Sequence, residues 1–345
     1  MMVAAPAGRA LLAAGVLAVA GCAGNGSQSA LDTAGSHADR IASLWWVFLW
    51  VCAAVYVVVI AALLYGVWRR SGRGEAVVVD PDPASEATRR TVVSTAVGLT
   101  IVVVVALTAA SYLTDRALAT DGADDPSAVR IKLTGHQWWW QVVYDDPVAA
   151  RQVTTANEIH IPVGRAAIIQ LQSSDVIHSF WVPNLNGKQD LIPGRNTNTI
   201  RVRPERIGTF RGQCAEFCGA QHANMAMLVH VDSADDFDKW RDGQLASAAE
   251  PADDESRRGR DVFLSSSCVL CHTVRGIGAG GRAGPDLTHV ASRETLAAAT
   301  IPNTTGHLAA WIADPQRIKE GVHMPSNGLD PEDLQALLAY LRTLE

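Results

Sequence analysis

The sequence has no long run of lysine or arginine, and its formal net charge is −6. That argues against a nucleic-acid binder, whose footprint is a concentrated basic surface. Cysteine is scarce: six in 345 residues are too few for a disulfide scaffold of this size. Only 19% of residues are charged and 48% are hydrophobic, which excludes a wholly disordered chain. The aliphatic residues are concentrated in three stretches before residue 115. Too few follow to make a polytopic transporter. At about 150 residues per domain, the length suggests two soluble domains.

The first apolar stretch reads as an export signal. Arg9 precedes a short apolar core, and Val19-Ala-Gly-Cys22 is followed by polar residues. It resembles a bacterial lipobox, with residues 1–21 as signal and Cys22 as the lipidated residue; the alternative is an ordinary signal peptide. The other two stretches, Ile41 to Trp68 and Thr91 to Thr114, contain no charged residue. Each exceeds the roughly 20 residues a membrane helix needs, so spans are expected at about 44–67 and 92–113. Trp45, Trp46 and Trp50 lie near one end of the first, and Tyr65 and Trp68 near the other, as interfacial aromatics do. Arg69, Arg70, Arg73, Arg89 and Arg90 flank the turn between them. By the positive-inside rule the turn faces the cytoplasm, and everything after Asp115 lies outside. Cys52, within the first span, reads as a packing residue. Glu86, just before the second, reads as a solvated loop glutamate.

From Val129 to about Val231, short runs with period-two alternation are separated by turn residues, indicating an antiparallel sandwich or barrel. Residues 233–255 read as a linker, with a helical stretch from Asp235 to Ala248. The last 90 residues carry helical signals, including Pro331-Glu-Asp before Leu334, Leu337, Leu338 and Leu341.

Two motifs carry chemistry. The first is Cys214-Ala-Glu216-Phe-Cys218 with His222 and Met225 just downstream and His178 upstream. Soft sulfur with imidazole suits copper, and two thiolates on one tight loop can bridge two copper ions. A zinc site and a disulfide remain the alternatives at this point. His136, His160 and His230 have no such partner set and read as structural. The second motif, Cys268-Val-Leu-Cys271-His272, is the C-x-x-C-H attachment signal for haem c, with two thioethers and His272 as an iron ligand. Gly321-Val-His323-Met324-Pro offers a distal ligand. Met324 is preferred because a His/Met pair raises the potential; His323 and His289 are the alternatives.

The first motif, with Gly135-His-Gln-Trp-Trp-Trp140, Asp175 to Pro183 and Gly187 to Arg195, resembles cytochrome c oxidase subunit II over residues 41–232. The resemblance implies a two-helix hairpin (41–114) and a cupredoxin-like domain (115–232). It also implies a binuclear CuA centre held by His178, Cys214, the backbone carbonyl of Glu216, Cys218, His222 and Met225. The Glu216 side chain then matches a carboxylate reaching Mg²⁺ or Mn²⁺ at the subunit I junction, and Trp138 matches the residue where electrons enter. Residues 256–345, with Gly284-Pro-Asp-Leu287, resemble a class I cytochrome c, all-α. The combination resembles subunit II of a caa-type haem–copper oxidase in a bacterial inner membrane, with both soluble domains on the periplasmic side. Its implied partners are subunit I, subunits III/IV, the lipid bilayer and an external cytochrome or respiratory complex as donor. Other readings are a nitrous or nitric oxide reductase component and a copper-delivery or redox-sensing membrane protein.

Overall fold

A computed structural model describes residues 26, 28–71, 83–120, 125–194 and 198–345. The export signal, Cys22, Arg73 and Arg195 lie outside the described residues. The chain forms two units: residues 39–123, and the residues before and after them.

The first unit consists of two long helices, α1 (Ser36–Ser71) and α2 (Pro83–Thr120). Both are long and apolar enough to cross a membrane, and their apolar windows are not buried inside the protein. The hydroxyls of Thr91, Thr100, Thr108 and Ser111 donate to carbonyls one turn back, so these polar groups are satisfied within the helix itself. Cys52 is exposed in this chain. One expectation changes here. Glu86 sits in the first turn of α2, where a carboxylate favours the helix N-terminus.

In the second unit, alternating sequence becomes a two-sheet sandwich. One sheet has the order β3–β2–β1–β5–β8, formed by β1 (Val129–His136), β2 (Trp139–Tyr144), β3 (Val153–Ala156), β5 (Ala167–Ser173) and β8 (Asn198–Val202). The other has the order β4–β10–β9–β6–β7, formed by β4 (Glu158–Pro162), β6 (His178–Trp181), β7 (Gln189–Leu191), β9 (Gly208–Cys214) and β10 (Ala226–Asp232). Pairing is mostly antiparallel, with one parallel pair in each sheet, β1 with β5 and β4 with β10. Ile131, Leu133, Trp140, Val142, Ile159, Ile169 and Leu171 fill the core between the sheets.

Residues before α1 close onto this sandwich. Gly35 bridges Pro204, and a Cβ there would lie 2.7 Å from the Leu185 carbonyl, so only glycine fits. Helix α3 (Ala234–Leu245) is capped by Ser233, whose side chain accepts from the Asp236 amide. Its Phe237 enters the β core and Trp240 packs beside it. Most of the stretch expected as linker is therefore part of the copper-side domain.

The C-terminal segment wraps a second core around Phe263, Leu308, Ile312, Leu337 and Tyr340. Its helices are α4 (Asp254–Ser265), the single turn α5 (Cys268–Cys271), α6 (Thr305–Ala313), α7 (Pro315–Ile318) and α8 (Pro331–Leu341). Asp253 and Ser256 form a reciprocal capping box at the start of α4.

Candidate metal and haem centres

The first centre lies where β6 and β9 pair. His178 opens β6 and Cys214 closes β9, and the pairing of Phe180 with Cys214 brings them together. The Cys214 amide donates to the Met225 carbonyl, 2.9 Å, so residues 215–225 form a closed loop. Cys214 Sγ lies 3.8 Å from His178 Nδ1, 3.8 Å from Cys218 Sγ and 3.2 Å from the Glu216 carbonyl oxygen. Cys218 Sγ lies 3.5 Å from His222 Nδ1 and 3.8 Å from Met225 Sδ. The structure thus brings all six expected donors into one cluster, with both thiols, His178 and Met225 buried.

The sulfur–sulfur separation is too long for a disulfide. Two sulfurs each about 2.3 Å from a shared tetrahedral ion would stand about 3.8 Å apart, which matches. The donors are soft sulfur, imidazole and one carbonyl, arranged on either side of a thiol pair; that set fits two soft cations better than one closed zinc site. Cys214 is the thiol that ionises first, held well below the ordinary thiol value by its hydrogen bonds to Cys218 and His178. The hydrogen bond with Cys214, then burial and the Cys214 charge, push Cys218 upward. Only added positive charge keeps both ionised.

The surrounding residues aim the donors. Asp175 Oδ1 lies 2.8 Å from His178 Nε2, so Nε2–H donates outward and Nδ1 faces the thiols. Burial opposes the His178 imidazolium, but the bonds to Cys214 and Asp175 outweigh it and raise its pKa. Asp175 is in turn fixed by the amides of Gln137 and Val176. A Cβ on Gly135 would lie 2.7 Å from the His178 ring, which accounts for glycine there. No sequence pattern gave Asp175 or Gly135 these duties. The Glu216 side chain is half-buried at the same loop.

The second centre is a cavity of about 430 Å³ lined by Cys268, Cys271, His272, Leu287, Trp311 and Met324, among others. It falls within the size range of cofactor sites, about 300–1,000 Å³. Both cysteines are free and stand one helical turn apart, on the same face. His272 Nδ1 donates to the Pro285 carbonyl, 2.7 Å, leaving Nε2 as a lone-pair donor. Burial lowers the His272 pKa, favouring the neutral imidazole that ligates iron. Gly284 gives the ring room: a Cβ there would lie 2.7 Å from it. These residues fit a haem c. His289 is tied to the Glu345 and Ala246 carbonyls and does not line the cavity. Met324 and His323 both do.

Trp138 connects the two centres. It sits in the turn between β1 and β2, not in a strand. Trp140 is in the core, Trp139 stacks on His136 with ring centroids 4.3 Å apart, and Trp138 is buried with 8% exposure. Its indole N–H donates to the Cys218 carbonyl, 2.9 Å, while Trp138 also lines the haem cavity.

His160 and His230 gather with Glu158. However, the two imidazoles are stacked, centroids 4.4 Å apart and planes 21° from parallel. Their in-plane lone pairs do not converge on one ion. His160 instead pairs with Asp232 and stacks on Trp240. His136 stacks on Trp139 and its Nδ1 shares a hydrogen bond with Ser174 Oγ, 2.8 Å.

Residues 146–232 match the family model for the periplasmic domain of cytochrome c oxidase subunit II. Residues 256–345 match that for cytochrome c. The chain is 35% identical to cytochrome c oxidase subunit 2 of Alkalihalophilus pseudofirmus over 95% of its own length and 94% of the relative's. It is 30% identical to the subunit 2 of Bacillus sp. PS3 over 68% of its length and 67% of the relative's. It is also similar to the crystal structure of the periplasmic domain of subunit II of cytochrome oxidase of Bradyrhizobium japonicum. That likeness has 31% identity and a TM-score of 0.32, covering 34% of this chain and 92% of that one. The 35% identity to the Alkalihalophilus relative along nearly the whole length of both chains, with a second match to cytochrome c at the C-terminal end, settles the assignment: the chain belongs to the cytochrome c oxidase subunit 2 family and carries a cytochrome c segment, making it an electron-transfer component of an oxidase.

Proposed function

We propose that the chain takes electrons from an outside donor at a covalent haem c and delivers them, by way of Trp138, to a binuclear CuA centre. From there they pass to subunit I, where O₂ is reduced to water and protons are pumped. Cys268 and Cys271 would hold the haem covalently, with His272 and Met324 on the iron. His178, Cys214, the Glu216 carbonyl, Cys218, His222 and Met225 would hold the copper pair. When bound, these groups would supply one-electron redox chemistry.

The residues do the rest. The buried loop keeps water from the thiolates, Asp175 holds His178 in one tautomer, and Pro285 does the same for His272. Trp138 bridges the haem cavity and the Cys218 carbonyl, and that single placement carries the reading. The Glu216 carboxylate would reach a Mg²⁺ or Mn²⁺ completed by subunit I. The arginines around the turn between α1 and α2 support a cytoplasmic turn, with the copper and haem domains on the periplasmic face of a bacterial inner membrane. Cys22 would add a lipid anchor. In this arrangement a tethered cytochrome holds its electron at high effective concentration beside the copper.

Purification of the intact complex tests the proposal. Optical and EPR spectra should show haem c and mixed-valence copper in this chain, together with a large subunit bearing further haem. A complex with haem c but without that subunit would defeat the oxidase reading.

A further inference from the structure

Lys319 follows α7 and is 1% exposed, among the largest fully buried side chains of the protein. Lysine is almost never buried this deeply unless paired, and no carboxylate pairs with it among the described residues. Its Nζ donates instead to two backbone carbonyls, Trp138 at 2.7 Å and Ala297 at 3.0 Å. One belongs to the copper-side domain and the other to the cytochrome segment.

We propose that Lys319 is the positioning residue that seats the cytochrome segment on the turn carrying Trp138, and so fixes the gap the electron crosses. This rests on the electron path proposed above.

Three observations bear on it. Trp138 and the preceding Gln137 both reach the Cys218 carbonyl and both line the haem cavity, so Lys319 holds the backbone of the turn shared by both centres. Ala297 opens a run of three non-glycine residues in the left-handed region, Ala297, Ala298 and Ala299, with φ of 54°, 60° and 55°. Such a run persists only where its surroundings hold it. Here the Ala297 carbonyl accepts from Lys319, and the Ala298 carbonyl accepts from the Ala226 amide, 3.1 Å, just past Met225. The adjacent residue repeats the contact: Gln221 Nε2 donates to the Glu320 carbonyl, 2.7 Å. A methionine would fill the same space as the lysine without the cost of burying an amine, so the amine is there for the bonds it makes.

The step served moves one electron; the haem side is oxidised, the copper side reduced, and no atom or proton is transferred.

The test is Lys319→Met in the complete oxidase, with photoreduction of haem c and time-resolved reduction of the copper centre. Electron transfer weakens exponentially with distance, so loss of the seat is expected to slow internal transfer several-fold. It should also become dependent on solvent viscosity, as a docking motion would. Lys319 also borders the haem cavity, so the haem c midpoint is titrated in the same sample to correct the rate for driving force, and both spectra should keep their wild-type form. An unchanged internal rate would overturn the proposal. Absence of haem c or copper from the wild-type complex would instead defeat the function proposed above. If the variant does not assemble, acylation of amines in the wild-type oxidase decides. Lys319 should stay unmodified while exposed Lys239 reacts, and equal modification of the two would overturn the seat.

Discussion

Met324 and His323 are neighbours in sequence and line the same cavity, yet as iron ligands they differ in consequence. A thioether opposite His272 raises the potential relative to an imidazole. The Met324 carbonyl accepts from Gln316 Nε2, 2.9 Å, which anchors the backbone at that point and leaves the side chain free to turn to the cavity. His323 is exposed, with its ring 6.4 Å from Trp138. Redox titration of the haem should therefore give a lower midpoint for Met324→Ala, with copper absorption intact, and a wild-type midpoint for His323→Ala. The reverse pattern would make His323 the ligand. At this scale the sequence was informative where ligands lie close together, as in Cys214 to Met225 and Cys268 to His272. It was silent where a residue acts through tertiary contact. Asp175 aims His178, Gly135 makes room for it, and Lys319 crosses an interface; none of these has a local pattern.

Among the elements, the crossing of α4 and α8 is the tightest. A Cβ added to Gly259 would lie 1.9 Å from the Ala336 carbonyl oxygen and 2.7 Å from Tyr340 Cβ. The backbone of one helix rests against the other, and Arg258 reaches Asp333 beside the contact. Gly259→Ala gains helix propensity of roughly 1 kcal/mol. It must push apart two backbones, and overpacking alone costs about 1–3 kcal/mol even where only side chains resist. Destabilisation of about 2 kcal/mol or more is expected, read as a lower melting temperature of the haem absorption envelope; an unchanged one would mean the helices separate freely. The glycine gave no signal in sequence, since a glycine within a helical stretch carries no record of its neighbour. Strand alternation was legible: β1 buries every second residue. The parallel pairings of β1 with β5 and β4 with β10 were not, because alternation fixes the face a residue takes, not the direction of the adjoining strand. Helix α3 was legible as a helix but not as part of the β domain, which depends on where Phe237 lands.

Across the whole soluble unit, the two cores meet again at Glu158, whose carboxylate accepts from the Glu294 amide, 2.9 Å. Burial pushes Glu158 up to about 7, with the Arg293 guanidinium and the backbone bonds opposing and the Glu294 charge adding to it. Close by, burial and the neighbouring His160 push His230 down to about 4, against Asp232. The pair therefore favours a proton on the carboxyl and none on the imidazole. A raised carboxylate contributes stability that is complete below its ordinary value of 4.5 and is lost as pH rises to about 7. A depressed histidine does the opposite, contributing above its ordinary 6.5 and losing that contribution as pH falls to about 4. At roughly 1.4 kcal/mol per pH unit, each displacement is worth at most about 3.5 kcal/mol. Between pH 4.5 and 6.5 the two slopes oppose, so this pair leaves the stability of the native chain nearly level there. Glu158→Gln keeps an acceptor for the Glu294 amide and removes one titration. The thermal midpoint of the full chain in detergent, followed by near-ultraviolet circular dichroism, should then fall more steeply as pH drops from 6.5 to 4.5 in the variant than in the native protein. Parallel profiles would mean that Glu158 is already ionised throughout that window and that the contact between the two cores is held by a charge, not by a proton.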